Sequence, residues 1–331
     1  MTLVNHRITL AARPVGLPRP TDFAHGEEPV RDPGHGEVLV KTRYISLDPA
    51  MRGWMNEGKS YVPPIQIGEV FRAIALGDVV ASNDPALAPG DHVTGMLGVQ
   101  EYATLPARSL TKVPPIAPLP VLLSALGMPG LTAYFGLLDV GRPQPGETVV
   151  VSAAAGAVGQ IVGQIAKIKG CRAVGIAGGP EKCAYVRELG FDAAIDYKSS
   201  DVAAGLREHC PDGIHVYFDN VGGDILDAAL ARLAMRARVV ICGAISQYNA
   251  TGKITGPANY LSLLVNRASM TGMIVMDYAA RYSEAIAEMA GWRAAGKLRS
   301  REDIVRGLAA FPAALNKLFT GENLGKLILE V

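Results

Sequence analysis

The sequence predicts an α/β protein in which a doubly wound parallel sheet is inserted between two parts of a mostly β domain. The chain has 331 residues, more than one hydrophobic core usually serves, so two domains are expected. Its first third holds short β-type runs such as EVLVKTRYISL and HVTGML, divided by turn residues. From Gly146 onward, continuous apolar runs alternate with helical patterns, which is typical of a parallel sheet covered on both faces.

Six apolar runs in the second part are predicted to be its parallel strands. In chain order they are TVVVSA, RAVGIA, AAIDY, HVYFDN, RVVICGA and SMTGMIVM. Helices are predicted over residues 158–169, 181–189, 202–209, 224–234, about 260–266 and, after the last strand, about 281–295. Six strands joined by right-handed helical crossovers make a complete Rossmann fold. The terminal run GKLILEV lacks a partner there, so we expect it to complete a first domain of 1–126 and 299–331 around a second of 127–298.

The composition argues against several classes of partner. The 32 basic and 31 acidic residues are scattered without blocks, so neither nucleic acid nor an anionic membrane is an expected partner. The apolar run VLLSALGMPGLTAYFGLLDV is interrupted by glycine and proline, and we interpret it as a buried helical stretch rather than a membrane span. Four widely spaced cysteines and the absence of a signal-peptide pattern indicate a reduced, cytoplasmic setting.

A loop for a dinucleotide pyrophosphate is predicted between the first parallel strand and its helix. The strand TVVVSA leads into AAGAVG and then into a helix, whose N-terminal N–H groups can bind an anion. In a GxGxxG frame Ala154 replaces the first glycine, while Gly156 and Gly159 keep the second and third. The alternative is that these glycines serve only close packing of the helix on the strand.

The segment IAGGPEK predicts which dinucleotide is bound. An acid that binds the ribose of NAD is expected about 20 residues after the phosphate loop. Gly178 and Gly179 occupy that place, and Lys182 follows near a helix start. The open turn and the base favour the 2′-phosphate of NADPH, with glycine amides and the Tyr197 hydroxyl as further donors. Glu181 opposes this interpretation, and Lys182 could instead be a solvated side chain of the first helical turn.

The chain lacks the residues that hold a catalytic zinc ion in many alcohol dehydrogenases with this domain order. No cysteine precedes Cys171, and Glu69 has no adjacent histidine, so we expect no metal. A hydride acceptor must then be activated by its own carbonyl group, as in an enone, an enal or a quinone. Addition of hydride to the β-carbon leaves an enolate, which tyrosine or ribose hydroxyl groups can stabilise.

Several stretches resemble one family along nearly the whole chain. They include YISLDPAMRGWM, LGMPGLTAYFGLLDVG, GFDAAIDYK, DNVGG, ICGAISQYN, NYLSLLVNR and GENLGKLILEV. The chain resembles the zinc-free medium-chain dehydrogenase/reductases, the group of prostaglandin, curcumin and alkenal double-bond reductases and leukotriene hydroxydehydrogenase. The resemblance implies a GroES-like β domain around the Rossmann domain, NADP(H) as cofactor and a homodimer.

The resemblance also implies a set of cofactor contacts. Together with the residues singled out above, the predicted cofactor site comprises Met128, Thr132, Gly156, Ala157, Val158, Gly159, Gly178, Lys182, Tyr197, Asn220, Cys242, Gly243, Ala244, Ile245, Ser246, Gln247, Tyr248, Met273, Ile274, Val275 and Asn323. Backbone groups of residues 273–275 are expected at the nicotinamide, and Asn323 is expected to reach it from the returning C-terminal segment.

Tyr260 in NYLSLLV matches the tyrosine that similar reductases place near the substrate carbonyl, so it is the predicted catalytic hydrogen-bond donor. The alternative is an ordinary tyrosine at a helix start or a dimer surface. Tyr44 and Tyr248 are reserve candidates, and Tyr44 is also expected in the substrate pocket. Ala50 stands where many relatives have tyrosine, so we expect a reshaped pocket and carry over neither prostaglandin nor curcumin activity.

The predicted function is therefore NADPH-dependent reduction of the C=C bond of α,β-unsaturated aldehydes and ketones. Reduction of quinones with NADPH uses the same cofactor arrangement and remains an alternative. A protein that binds NADPH for a structural or regulatory purpose, without catalysis, is an alternative of another class.

Overall fold

The computed structural model describes residues 3–116 and 118–331, and these form two compact units. The first unit falls within residues 1–123, 302–323 and 327–331, and the second within 124–301 and 324–326. The first is therefore assembled from both ends of the chain.

The described strands are β1 (Val4–Leu10), β2 (Phe23–Pro29), β3 (Glu37–Ser46), β4 (Ala75–Ser82), β5 (His92–Gly95), β6 (Tyr102–Pro106), β7 (Thr111–Lys112), β8 (Thr148–Ser152), β9 (Arg172–Ala177), β10 (Ala193–Asp196), β11 (Ile214–Asp219), β12 (Leu233–Ile241), β13 (Ser269–Gly272), β14 (Glu302–Arg306) and β15 (Lys326–Glu330). The α-helices are α1 (Ala50–Trp54), α2 (Met128–Phe135), α3 (Gly159–Ile168), α4 (Pro180–Glu188), α5 (Val202–His209), α6 (Gly223–Leu230), α7 (Ser262–Val265), α8 (Tyr282–Ala294) and α9 (Phe311–Thr320).

The first unit is built on an antiparallel sheet with the strand order β14-β15-β3-β4-β5-β7, in which β6 also pairs with β3. The terminal strand β15 pairs with β3 in an antiparallel register that sets Ile328 opposite Ser46, so the expected return of the C-terminus is confirmed. Three rings, Phe23, Phe71 and Phe311, form the centre of the core with centroid separations of 4.9–5.6 Å. Such aromatic clusters bury large areas and stabilise the unit.

The second unit contains a six-stranded parallel sheet with the order β10-β9-β8-β11-β12-β13. This is the strand order of a complete Rossmann fold, as the sequence predicted. The central strand β8 is an apolar run in which every residue is buried, as expected for a strand covered on both faces. The direction of strand addition reverses between β8 and β11, and ligands bind at the carboxyl edge of such a switch point.

The helix predicted over residues 224–234 is wrong at its C-terminal end. Helix α6 ends at Leu230, and β12 begins at Leu233. Leu233 pairs with Ile214 of β11, so sheet formation determines the conformation of a segment whose local preference is helical. The helix expected near 260–266 is a 3₁₀ turn, Ala258–Leu261, followed by the short α7.

The long apolar run 121–140 is divided between short helical segments. A 3₁₀ turn, Leu119–Leu123, precedes α2, and a π-helical segment, Gly136–Gly141, follows it. Within the described ranges of the chain, no helix is both long enough and apolar enough to span a bilayer.

Candidate functional site

The carboxyl ends of β8 and β11 are joined by side chains at the switch point. Ser152 Oγ donates to Asp219 Oδ1 at 2.9 Å and accepts from the Asn220 N–H at 2.8 Å. Asn220 Nδ2 in turn donates to the Ser152 carbonyl at 2.7 Å. The structure therefore fixes Asn220, a predicted cofactor residue, beside the strand that leads into the phosphate loop.

Asp219 is the centre of this arrangement, which we call the Asp219 network: Ser152, Tyr217, Asp219, Asn220 and the N–H groups of residues 221 and 222. The Tyr217 hydroxyl donates to Asp219 Oδ1 at 3.0 Å, and the Val221 and Gly222 N–H groups donate to the same carboxylate. Burial raises the pKa of Asp219, and these hydrogen bonds oppose the increase. A buried carboxylate with several donors rigidly orders the turn after β11.

Sequence reasoning missed Asp219, although it used the motif DNVGG for Asn220. An acidic residue at the end of an otherwise apolar strand was the available signal, because such a group is buried only with partners.

The segment after β12 is attached to the same turn. The Asp219 carbonyl accepts from the Cys242 and Gly243 N–H groups at 2.9 and 3.1 Å. The Val221 carbonyl accepts from Ser246 Oγ at 2.6 Å, so the predicted cofactor segment 242–248 lies against residues 219–221. Burial, with a further contribution from Asp219, raises the pKa of the Cys242 thiol to about 12. The thiol is thus neutral at physiological pH.

Tyr248, a reserve catalytic candidate, folds back within this segment. Its hydroxyl accepts from the Ala244 N–H at 3.1 Å, and the ring approaches Gly243. This hydrogen bond closes a turn over residues 244–248.

The phosphate loop connects β8 to α3 with the expected geometry for an anion site. The Gly156 N–H donates to the Ala153 carbonyl, and the Gln160 N–H donates to the Gly156 carbonyl at 3.0 Å. The Ile161 and Val162 N–H groups donate to the Val158 carbonyl, so the groups left to face an anion before α3 are the N–H groups of residues 157–159. A Cβ at Gly159 would lie 2.3 Å from the Ala153 carbonyl oxygen, so the third glycine permits close helix packing.

Gly178 and Tyr197 are brought into direct contact at the ends of β9 and β10. A Cβ at Gly178 would lie 2.8 Å from three atoms of the Tyr197 phenol, so only glycine leaves this ring in place. Lys182 lies in the first turn of α4 and is partly exposed. We call residues 178–182 the β9–α4 turn. Around this turn the chain therefore presents the Lys182 amine, the Tyr197 phenol and two glycines without side chains.

Asp196 occupies this neighbourhood as well and was missed at the sequence level. Its carboxylate accepts from the Gly179 N–H at 2.7 Å, the Lys198 N–H at 3.0 Å and Ser199 Oγ at 2.8 Å. These donors lower the pKa of Asp196, the Gly179 N–H most of all. The Gly179 N–H, one of the glycine amides expected to donate to the 2′-phosphate, thus donates to Asp196 in this structure.

The residues predicted to hold the nicotinamide follow β13 and contact α2 and α8. The Met273 N–H donates to the Ile241 carbonyl at 3.2 Å, so this segment continues the ladder from β12. The Tyr282 hydroxyl donates to the Val275 carbonyl at 3.0 Å and lies 3.8 Å from Met128 Sδ. Thr132 Oγ1 donates to the Met128 carbonyl at 2.8 Å within α2. Met128, Thr132 and residues 273–275 thus form one neighbourhood.

Tyr260, the predicted catalytic residue, lies on a surface turn of the second unit. Asn259 attaches this turn to α6, because its N–H donates to Asp227 Oδ1 at 2.7 Å and its Nδ2 donates to the Asp227 carbonyl. The Tyr260 side chain is 57% exposed. This placement leaves the phenol accessible.

The remaining candidates belong to the first unit. The Tyr44 hydroxyl donates to Glu330 Oε1 at 3.4 Å across β3 and β15. Ala50 begins α1 and packs against the core of this unit. Asn323 is 9% exposed and directly precedes residues 324–326 of the second unit. No group of three His, Cys, Asp or Glu side chains suited to a metal occurs in the parts of the chain that the structure describes.

A six-stranded parallel sheet with an anion-binding loop at its switch point, in a chain that also forms an antiparallel β unit, defines the class of two-domain nucleotide-dependent dehydrogenases and reductases. Two family models match this chain: "N-terminal domain of oxidoreductase" over residues 6–113 and "Zinc-binding dehydrogenase" over residues 157–291. The chain belongs to the medium-chain dehydrogenase/reductase family of oxidoreductases, within its zinc-free group of curcumin, alkenal and prostaglandin reductases.

Individual relatives match over almost their full length. The chain is 44% identical to the NADPH-dependent curcumin reductase of Escherichia coli (strain K12), covering 99% of this chain and 97% of the relative. It is 40% identical to the NADP⁺-dependent 2-alkenal reductase of Nicotiana tabacum, with the same coverage of 99% and 97%. The crystal structure of CurA in complex with NADPH from Vibrio vulnificus matches with a TM-score of 0.94 at 43% identity, covering 98% of this chain and 99% of that one.

Proposed function

We propose that this protein reduces the C=C bond of α,β-unsaturated aldehydes and ketones with NADPH. The choice of NADPH in this proposal is carried by the β9–α4 turn, where the Tyr197 ring contacts Gly178 at the place of a ribose-binding acid and Lys182 follows in the first turn of α4. NADP-dependent relatives of 40% and 44% identity support the same cofactor. The alkenal reductase among them supports an unsaturated carbonyl compound as substrate.

The residues present fit the phosphates of NADPH. The backbone N–H groups of residues 157–159, at the N-terminus of α3, are proposed to bind the pyrophosphate, and Lys182 is proposed to offer a positive charge to the 2′-phosphate. The cofactor would be lined by Asn220 and residues 242–248. Its nicotinamide end would contact Met128, Thr132, residues 273–275 and Asn323. When bound, NADPH supplies the hydride that reduces the β-carbon of the substrate.

Tyr260 is the proposed donor to the substrate carbonyl oxygen. A phenol O–H that donates to this oxygen stabilises the negative charge that develops there as the double bond is reduced. The α-carbon is then protonated by solvent or by the same hydroxyl group. Tyr44 and Ala50 are proposed to shape the substrate pocket, and the absence of a tyrosine ring at Ala50 is expected to enlarge or reshape it.

Substrate profiling tests the reaction. NADPH consumption is measured with a short alkenal, an aryl enone and a benzoquinone, and the products are identified by mass spectrometry. We expect saturated carbonyl products from the first two substrates. Turnover of the quinone alone would replace the proposal with quinone reduction, and NADPH binding without any turnover would indicate a non-catalytic protein.

The Tyr260→Phe substitution tests the catalytic assignment, because it removes only the hydroxyl group. Loss of one oxyanion donor lowers kcat by about 100-fold. NADPH affinity is expected to be unchanged. A kcat within twofold of wild type would remove Tyr260 from the mechanism and leave the cofactor assignment in place.

We also propose that the protein is a homodimer formed through the edge of the parallel sheet. All four residues of the edge strand β13 are exposed. Large apolar side chains on this strand and on the preceding turn and helix are exposed too, and they define the edge patch: Leu261, Leu264, Val265 and Met270. Exposed edge strands and apolar patches are sites of association, and a second copy presents the same surface in a twofold arrangement.

Sedimentation analysis tests the dimer. Leu264 is 76% exposed, and Leu264→Glu is expected to give a monomer because it places a charge in the centre of the edge patch. Val80→Glu in the first unit, at a side chain that is 42% exposed, is the matched control and should remain dimeric. A wild-type monomer at micromolar concentration would refute the proposed dimer.

Cytoplasmic localisation is proposed from the cysteines. All four are unpaired, and Cys171, Cys183 and Cys210 are buried. Free thiols are typical of proteins in reducing compartments.

A further inference from the structure

Helix α3 carries two buried glutamines one turn apart, Gln160 and Gln164, which are 0% and 3% exposed. Gln164 Oε1 accepts from the Arg299 N–H at 2.8 Å, and its Nε2 donates to the Arg299 carbonyl at 2.8 Å. Gln160 Oε1 accepts from the Arg301 N–H at 3.0 Å, and its Nε2 donates to the Arg301 carbonyl at 3.4 Å. The two side chains therefore pair with a backbone segment as a neighbouring strand would.

The contact at Arg301 continues to the phosphate loop. The Arg301 carbonyl also accepts from the Lys326 N–H at 2.9 Å. The preceding Gly325 donates its N–H to the Ala155 carbonyl at 2.9 Å, and Ala155 belongs to the phosphate loop. The result is a closed ring of bonds that begins at Gln160, passes through Arg301, Lys326 and Gly325, and returns to Ala155. All of these residues belong to the second unit.

The ring matters because of how the loop must present its backbone to an anion. A pyrophosphate is attracted by N–H groups and repelled by carbonyl oxygens. The Ala153 and Gly156 carbonyls are engaged within the loop and α3. The Ala155 carbonyl is engaged by Gly325 instead, so this oxygen is fixed by a segment far away in sequence.

Gln160 also connects this ring to α4. The Tyr185 hydroxyl donates to Gln160 Oε1 at 2.6 Å, and the Arg301 guanidinium lies 5.9 Å from the centroid of the Tyr185 ring. One buried amide thus joins the helix at the phosphate loop, the helix that carries Lys182, and the segment 299–301. Gln164 is the weaker candidate for this role: its Nε2 donates to the Gln160 carbonyl at 2.7 Å and to Arg299, and Arg299 lies outside the ring.

We infer that Gln160 is a positioning residue for dinucleotide binding, which acts through Arg301, Lys326 and Gly325 to hold the Ala155 carbonyl away from the pyrophosphate. The inference rests on the proposed cofactor and is independent of the substrate that is reduced. It assigns the pyrophosphate affinity of the loop partly to a side chain that does not touch the cofactor.

The test compares Gln160→Met with Gln164→Met, two variants that each remove one buried amide from the same helix. Dissociation constants for NADPH and NADH are measured by fluorescence titration, and stability is measured by urea unfolding. Both variants should lose similar stability. Only Gln160→Met should bind both cofactors about tenfold more weakly, since both share the pyrophosphate; tenfold corresponds to about 1.4 kcal/mol. Equal cofactor affinities in the two variants would overturn the inference.

Gln160→Glu provides a rescue that a merely structural role would not produce. A protonated carboxyl group can accept from the Arg301 N–H and donate to its carbonyl, as the amide does, whereas a carboxylate cannot donate. Burial favours the protonated form at mildly acidic pH. The ratio of the variant and wild-type dissociation constants for NADP⁺ should therefore approach one at low pH and increase as pH rises. A ratio that does not change with pH would count against the ring.

These measurements use no substrate, so they separate the two proposals. A wild-type protein that binds NADPH and reduces no enone would refute the proposed reaction alone. Normal cofactor binding by a folded Gln160→Met protein would refute the positioning role alone.

Discussion

The Asp219 network and the β9–α4 turn lie at the carboxyl edge of the same parallel sheet, yet they are built in opposite ways. Asp219 is 1% exposed, and its carboxylate is surrounded by donors from this chain. At the β9–α4 turn, Tyr197 is 43% exposed and Lys182 is partly exposed. A buried, saturated network fixes backbone geometry, whereas side chains at the surface can contact a ligand. We therefore expect changes in the network to affect folding and every dinucleotide, and changes in the turn to affect cofactor choice.

The largest effect is expected for Asp219→Ala. The substitution leaves the Tyr217 hydroxyl and two backbone N–H groups without their acceptor, and each buried unsatisfied group costs about 1–3 kcal/mol. We expect the free energy of unfolding to fall by about 3 kcal/mol or more, with weaker binding of NADPH and NADH alike. Urea unfolding and cofactor titration measure both. Ser152→Ala removes one partner and should cost less; a cost equal to that of Asp219→Ala would show that the network is not centred on Asp219.

The second effect is on cofactor choice, and Lys182→Ala measures it. A charge-assisted contact with phosphate contributes about 1.5–3 kcal/mol, so we expect about 30-fold weaker NADPH binding. NADH affinity and unfolding should change little, since NADH has no 2′-phosphate. Lys297→Ala removes an equal charge from an exposed position after α8 and is the matched control. Equal losses for NADPH and NADH, or an equal effect of the control, would contradict selection by Lys182.

A smaller effect is expected for Gly178→Ala, which tests the contact with Tyr197. The added Cβ would lie 2.8 Å from the phenol and displace it. We expect the free energy of unfolding to fall by about 1 kcal/mol, which is the low end of the cost of overpacking. NADPH affinity should fall modestly as well. In a Tyr197→Ala background the stability loss should largely disappear. An unchanged loss in that background would assign the effect to the backbone and not to the ring.

The sequence predicts the parallel sheet well because its strands are continuous apolar runs that alternate with helices. It also predicts a phosphate loop, since Gly156 and Gly159 follow the first strand directly. The end of α6 could not be predicted in this way, because Leu233 joins β12 only through its partner Ile214. Local preference in that segment is helical, and tertiary pairing overrides it.

Side-chain networks were harder to foresee than strands. The role of Asp219 depends on Ser152, which lies 67 positions earlier in the chain. Asp196 could have been inferred, because neighbouring parallel strands end at the same edge and β10 adjoins β9. Gln160 and Gln164 also left a signal, as two polar residues one turn apart whose helical neighbours from residue 161 to residue 166 are apolar or glycine.

The smallest effect concerns pH, and Asp196→Asn measures it. Hydrogen bonds, that of the Gly179 N–H first, lower the pKa of Asp196 below its ordinary value of 3.8. The folded state then binds fewer protons than the unfolded state, so the stability contribution is complete above that value and is lost as pH falls below it. Between about pH 5 and about pH 3, wild type should lose slightly more stability than Asp196→Asn. Parallel pH profiles would show that the carboxylate adds no stability to the β9–α4 turn, and the turn would then depend on Gly178 and Tyr197 alone.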